Sequence, residues 1–162
     1  CSPDKDLAQC VTDDGRVVQL HRRQELIYDS SAVKEKFGVS PASIPDFLAL
    51  VGDSADGIPG LPGWGAKSSS LLLARYEKIE KIPLDPNKWD VSVRGATKLA
   101  ETLSQNFKKA QLYKDLTVLR DNVPVMAKVS ELEWFAPKKH FIELCNRLDA
   151  SKLAERLKKL SR

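Results

Sequence analysis

The chain has 162 residues, 42% hydrophobic and 30% charged, which is enough apolar side chain for the core of one domain or a domain and a half. No apolar run approaches the roughly 20 residues that cross a bilayer, and Cys1-Ser2-Pro3-Asp4-Lys5-Asp6 lacks the shape of a signal peptide, so a membrane role is not expected. The net charge of +4 is uneven, with six basic and ten acidic side chains in residues 1–60 but twenty and twelve in residues 61–162, a balance that suits a cation site followed by a surface for a polyanion.

The first residues read as the end of a strand. Residues 7–11 are short and apolar, and Asp13-Asp14-Gly15 then reads as a hairpin turn into a strand over 17–20. Ser30 or Ser31 is placed to cap a short helix over 32–37, which Gly38 ends. A loop with Pro41 leads to a helix over 45–51, started by Pro45, with Phe47, Leu50 and Val51 on one face. Residues 52–65 hold five of the eight glycines and two of the nine prolines, a density that no helix or strand interior survives. The next helix spans about 66–79, with Leu72, Leu73, Tyr76 and Ile79 as its apolar face. Beyond the loop at 83–87 four helical periods follow. They are carried by Ala96, Leu99, Ala100, Leu103 and Phe107, by Leu112, Leu116 and Leu119, by Phe141, Leu144, Cys145 and Leu148, and by Leu153, Leu157 and Leu160. A short extended piece at about 123–132 interrupts them. The expected fold is an α/β remnant followed by a mostly α-helical body.

Four groups of residues carry candidate chemistry. Asp4 and Asp6, two apart at a strand end, would point to one side and repel unless a cation lies between them. A divalent metal takes such oxygens, and a solvated turn or helix start explains them equally. In Gly52-Asp53-Ser54-Ala55-Asp56-Gly57 two carboxylates sit at a helix C-terminus, where the helix dipole disfavours them; metal binding and an ordinary Asp-Gly turn both fit. Leu61-Pro62-Gly63-Trp64-Gly65, leading into Ala66-Lys67-Ser68, has the alternation of a helix–hairpin–helix motif. Glycines let backbone approach a phosphate, and the helix that follows offers free N–H groups. A plain interhelical turn around a buried Trp64 is the alternative. Arg94, Lys98, Lys108, Lys109, Lys114, Arg120, Lys152, Arg156, Lys158, Lys159 and Arg162 form a basic surface that suits a duplex or simple solvation. Cys1, Cys10 and Cys145 have no metal or disulfide spacing and read as free thiols of an intracellular, reducing compartment, and His21 and His140 stand alone.

Together the segments 2–9, 33–39, 44–60 and 61–73, in this order and spacing, resemble the 5′-3′ exonuclease family. That family includes the nuclease domains of bacterial family A DNA polymerases and, more distantly, the flap endonucleases. The resemblance is strong over residues 1–80 and weaker beyond. It implies the C-terminal part of a 5′-nuclease fold with an extended helix–hairpin–helix motif. Residues 1–29 would end a PIN-like catalytic core sheet, 30–82 would form the helix–hairpin–helix region and 83–162 a C-terminal helical region. It further implies that Asp4, Asp6, Asp53 and Asp56 bind metal, as part of a two-metal site for Mg²⁺ or Mn²⁺. By the same resemblance Gly63, Trp64, Gly65, Ala66, Lys67 and Ser68 contact DNA, and a potassium ion lies among hairpin carbonyls in the region 51–68. The implied activity is hydrolysis of duplex DNA at a 5′ end, flap or junction. Gly57 departs from the family's usual Asn. The family's N-terminal half is not in this sequence, so the expected partner is that missing half, and a non-catalytic duplex-binding module is the alternative for this chain.

Overall fold

A computed structural model describes residues 1–125 and 128–160, apart from the side chains of Lys139, Lys158 and Leu160. Met126 and Ala127 of the expected extended piece, and Arg162 of the basic tail, lie outside the described residues, as do the side chains of Lys158 and Leu160. The chain forms two compact units, Cys1–Arg120 and Asp121–Arg162.

The first unit opens with a 3₁₀ turn, Lys5–Cys10, where a strand end was expected. Asp4 caps it by accepting the amide of Asp6, and Ala8 is fully buried, so this segment faces the core and offers no edge for pairing. The Asp-Gly turn does form: Gly15 adopts a φ of 71°, and the Asp14 carboxylate accepts the Thr12 hydroxyl. It does not join two paired strands. The pairing lies one turn later, between β1 (Gln19–His21) and β2 (Leu26–Tyr28), antiparallel with Leu20 opposite Ile27.

Helix α1 (Ser30–Phe37) is capped by Asp29, which accepts the Ala32 amide at 2.8 Å, rather than by Ser30 or Ser31. An ionised cap gains from the helix dipole as well as from the hydrogen bond. Ser30 donates instead to Asp13. Helix α2 (Ile44–Val51) is the centre of the unit. Every residue from Ile44 to Leu50 is buried, so this helix is apolar all round rather than on one face, as a helix enclosed by other elements must be. It packs against the N-terminal turn, α3 (Ala66–Tyr76) and α4 (Ala96–Thr117).

Helix α3 ends at Tyr76, three residues short of the expected position, because Glu77 turns the chain with a φ of 66°. This delivers the amide of Ile79 to the buried carboxylate of Asp46 at 2.8 Å. Helix α4 joins two of the expected helical periods into one helix, kinked at Asn106, where the side-chain amide bonds the Thr102 carbonyl. The buried side keeps one helical period along the whole helix, and the second expected period falls on the opposite side. Leu99, Ala100, Leu103, Ala110 and Thr117 are buried, while Leu112, Leu116 and Leu119 are exposed. The second unit contains a 3₁₀ turn, Val129–Leu132, where an extended strand was expected, and helices α5 (Lys139–Arg147) and α6 (Ser151–Leu160), with Cys145 and Ala154 buried. Among the described residues no helix is long and apolar enough to cross a membrane.

Lys114 leaves the expected basic surface. Its ammonium lies 2.8 Å from both Asp46 and Glu80, and its side chain is only 17% exposed. Burial pushes the Asp46 carboxyl above its ordinary range even with the Ile79 amide and Lys114 beside it. Removing one partner of a buried pair strands the other charge, so Lys114→Met should cost about 3–5 kcal/mol of unfolding free energy in urea melts. Glu80 is 41% exposed, and Glu80→Gln should cost no more than about 1 kcal/mol. Equal losses in the two variants would contradict this arrangement.

Candidate metal centre and nucleic-acid interface

The first site is built where the chain reverses after α2. Gly52 ends the helix with a φ of 89°, and Asp53 and Ile58 then exchange backbone hydrogen bonds of 2.7 and 2.8 Å. The Leu61 amide returns to the Leu50 carbonyl at 2.8 Å. The crossing is too close for side chains: a Cβ on Gly60 would lie 2.6 Å from the Val51 carbonyl oxygen. This closed loop holds Asp53 inward and Asp56 outward, beside Asp6 of the N-terminal turn.

One carboxylate oxygen from each of Asp6, Asp53 and Asp56 lies within 4.8 Å of the others. Asp4 stays outside this trio. Asp4 is the extended cap before the 3₁₀ segment and its carboxylate turns to the Asp6 amide, so the shared side expected for a strand end does not arise. Asp4 instead lines the open cleft in front of the trio, together with Ser2, Pro3, Lys5, Lys36 and Phe37. Gln19 fixes this corner by donating to the carbonyls of Ser2 and Asp4, and Gln9 ties the turn to the end of α4 through the Thr117 carbonyl and the Leu119 amide.

The carboxylates are unequal. Asp53 is fully buried; its Oδ1 receives Lys5 at 2.6 Å and the Ala55 amide at 3.0 Å, while its Oδ2 has no partner. Burial works to raise its pKa, but Lys5 and the Ala55 amide outweigh burial and hold it below the ordinary range. Asp6 has no such help. Its Oδ1 is buried without a partner, and burial, then the charges of Asp4, Asp56 and Asp53, push its pKa from 3.8 to about 6. Hard oxygen donors with unmatched negative charge at an open cleft fit a divalent cation.

The second site follows from the same reversal. The turn at 61–65 closes with the Trp64 amide on the Leu61 carbonyl at 3.1 Å. Trp64 is buried, and its indole N–H donates to the Leu99 carbonyl at 3.2 Å, so the side chain anchors the turn on α4. The first amides of α3 have no partners within the helix. Ser68 is engaged with Gly65, accepting its amide and donating to its carbonyl. Gly63, Gly65, Lys67 and Ser68 share a cleft of about 500 Å³ with Leu71, Ser92, Val93 and Arg94. The role of residues 92–94 as its far wall was not visible in sequence, where Arg94 was one basic residue among eleven. Lys36 and Phe37 at the first cleft were missed likewise; Lys36 lies 4.4 Å from the centre of the Tyr28 ring.

A family model described as 5′-3′ exonuclease, C-terminal SAM fold, matches residues 39–140, more than half of the chain. The chain belongs to this 5′-3′ exonuclease family. Relatives in the family include a 5′-3′ exonuclease of Aquifex aeolicus, 34% identical over 88% of this chain and 48% of that protein. A 5′-3′ exonuclease of Buchnera aphidicola is 32% identical over 81% of this chain and 46% of its own length. DNA polymerase I of Pseudomonas aeruginosa is 36% identical over 80% of this chain and 14% of the polymerase. The chain thus spans about half the length of the two exonucleases. A solved structure of T5 5′-exonuclease with bound zinc superimposes with a TM-score of 0.58 at 20% identity, over 72% of this chain and 41% of that one. The likeness supports the C-terminal part of a 5′-nuclease fold.

The raised pKa of Asp6 has a testable sign. The folded chain holds this proton more tightly than the unfolded chain, so with metal chelated the contribution of Asp6 to stability is present below pH 3.8 and lost as pH rises through about 6. Asp6→Asn should melt close to wild type at about pH 4 and progressively higher than wild type towards about pH 7. A melting difference independent of pH would exclude the repulsion described for Asp6.

Proposed function

We propose that the chain is the C-terminal half of a divalent-metal-dependent 5′-3′ exonuclease with flap endonuclease activity, hydrolysing DNA phosphodiester bonds at 5′ ends and junctions. One observation carries the reading: three carboxylates converge beside an open cleft that two of them line, and two bury oxygens that have no partner. Asp6, Asp53 and Asp56 would hold the ion, and Asp4 adds negative charge at the rim. The all-carboxylate set suits Mg²⁺ or Mn²⁺. A second ion of a two-metal site needs further ligands, which the resemblance assigns to the half of the fold outside this chain. A metal bound here supplies Lewis acidity and a hydroxide at neutral pH, the two needs of phosphodiester hydrolysis.

The rest of the chain holds the substrate. Gly63 and Gly65 keep the turn free of side chains, the amides of Ala66, Lys67 and Ser68 face the phosphate backbone, and Lys67 adds charge. Trp64 fixes the turn from behind. Such contacts position a duplex and carry no sequence information, as selection of a 5′ end or junction by shape requires. A potassium ion among the carbonyls of residues 51–68 belongs to the same reading. Three cysteines without a disulfide agree with an intracellular, reducing compartment.

Cleavage of a 5′-labelled flap duplex by the 162-residue chain, with and without Mg²⁺, tests the catalytic half of this reading. Asp53→Asn and Asp56→Asn should each lower cutting by about 100-fold or more while duplex affinity stays within a few-fold. No metal-dependent cutting, with binding retained, would make this chain a duplex-binding module or a half whose chemistry depends on the missing ligands. For the hairpin, Lys67→Gln should reduce the slope of log affinity against log salt by about 1. A slope unchanged in Lys67→Gln would remove the hairpin from the interface.

A further inference from the structure

We propose that Lys5 is a built-in counter-ion of the carboxylate cluster, seated on Asp53 in the metal-free chain and displaced when a divalent ion enters, so that this side chain sets the metal affinity of the site. The inference rests on the metal-centre reading and goes beyond it to a residue whose chemistry is not that of a ligand. Its starting point is an imbalance. Asp53 is buried on the core side of the chain reversal, where an ionised carboxylate with no counter-charge is costly. The Lys5 ammonium at 2.6 Å supplies that charge.

The pair is asymmetric in a way that suits displacement. The Asp53 side chain is 0% exposed and fixed by the Asp53–Ile58 bridge and by the Ala55 amide. The Lys5 side chain is 37% exposed, lines the open cleft and has Asp53 as its ion-pair partner among the described residues. The flexible member faces solvent and the rigid member faces the core. Lys5 also leaves the job unfinished. It occupies Oδ1 of Asp53, while Oδ2 of Asp53 and Oδ1 of Asp6 remain buried without partners. One ammonium cannot serve three carboxylates, whereas a divalent ion takes an oxygen from each. Once that ion is in place, the ammonium beside it is repelled at close range, and its exposed stem gives it a path into the cleft. Lys36, at the opposite wall of this cleft, is held over the Tyr28 ring and does not reach Asp53 in the described ion pairs.

A lysine that competes with metal has a signature that an ordinary structural ion pair lacks. Removing it should weaken the metal-free fold and strengthen metal binding at the same time. The test uses the full 162-residue chain and its Lys5→Met and Lys5→Gln variants. Mn²⁺ binding is followed by electron paramagnetic resonance and thermal melting is measured in chelator and in Mn²⁺. Lys5→Met should melt lower than wild type in chelator, bind Mn²⁺ about tenfold more tightly and show a larger Mn²⁺-induced rise in melting temperature. Lys5→Gln, which keeps a hydrogen-bond donor for Asp53 without the charge, provides a folded variant and should show the same tightening. In wild type, the Lys5 ammonium resonance of ¹⁵N-labelled protein should be slow to exchange in chelator and lost to solvent exchange on adding Mg²⁺. Unchanged or weaker Mn²⁺ binding in both variants, with wild type binding Mn²⁺, would overturn the role of Lys5 and leave the metal centre standing. Absence of Mn²⁺ binding in wild type and both variants would overturn the metal centre and this inference together.

Discussion

A single backbone crossing organises the first unit. Residues 51–52 and 59–60 pass so closely that a methyl group on either glycine would strike peptide atoms within 3 Å. That contact is affordable only because both residues are glycines at positive φ, a conformation that side chains disfavour. On one side of the crossing the loop presents Asp53 and Asp56. On the other it releases Leu61 onto α2 and starts the turn that leads to α3. The acidic cluster and the turn at 61–65 are therefore two ends of one constrained segment.

Around this crossing the protein concentrates charge that it does not balance fully. The interior offers one complete arrangement, in which Asp46 meets Lys114 and the Ile79 amide. A few residues further along the chain, Asp53 is matched on one oxygen only, and Asp6 beside it has a buried oxygen with no partner and a raised pKa. The contrast separates the two buried acids by purpose. Asp46 is closed off by α2, α4 and the turn after α3, and it tethers them. Asp53 lines a cleft with Asp6 close behind it, where their deficit can be met from outside.

Much of this could be read from the residues alone. The helix before Gly52, the density of glycine between 52 and 65, the stop at Gly38 and the closeness of Asp53 to Asp56 were all local signals, and each corresponds to a feature of the structure. What failed were inferences that needed the third dimension. The Asp-Gly turn at 13–15 is present, but its preceding segment is claimed by the core through Ala8 and Val11, so the strand pairing moves to residues 19–28. Leu112, Leu116 and Leu119 keep a helical period, yet the buried face of α4 runs from Leu103 through Ala110 to Thr117; Leu112 and Leu116 fall on the side opposite it, and Leu119 lies past the helix end. Lys114 looked like surface charge because its partners lie 34 and 68 positions away in the chain. Asp6 joins Asp53 and Asp56 without Asp4 because a 3₁₀ turn replaces the expected strand end, a local choice made by burial of Ala8 and by the cap at Asp4.

The clasp formed by Gln9 has a consequence for the order in which the protein assembles. Its side chain reaches the Thr117 carbonyl and the Leu119 amide, contacts separated by 108 and 110 residues of sequence. Local helices can form as the chain is made, but a contact of such range waits until its distant partner exists. The turn carrying Asp6 is made about a hundred residues before the carbonyl that fastens it, 108 positions on from Gln9. A chain interrupted before residue 117 would hold both halves of its acidic cluster, joined by the Lys5–Asp53 pair, and yet lack the clasp that fastens the Asp6 turn to the end of α4.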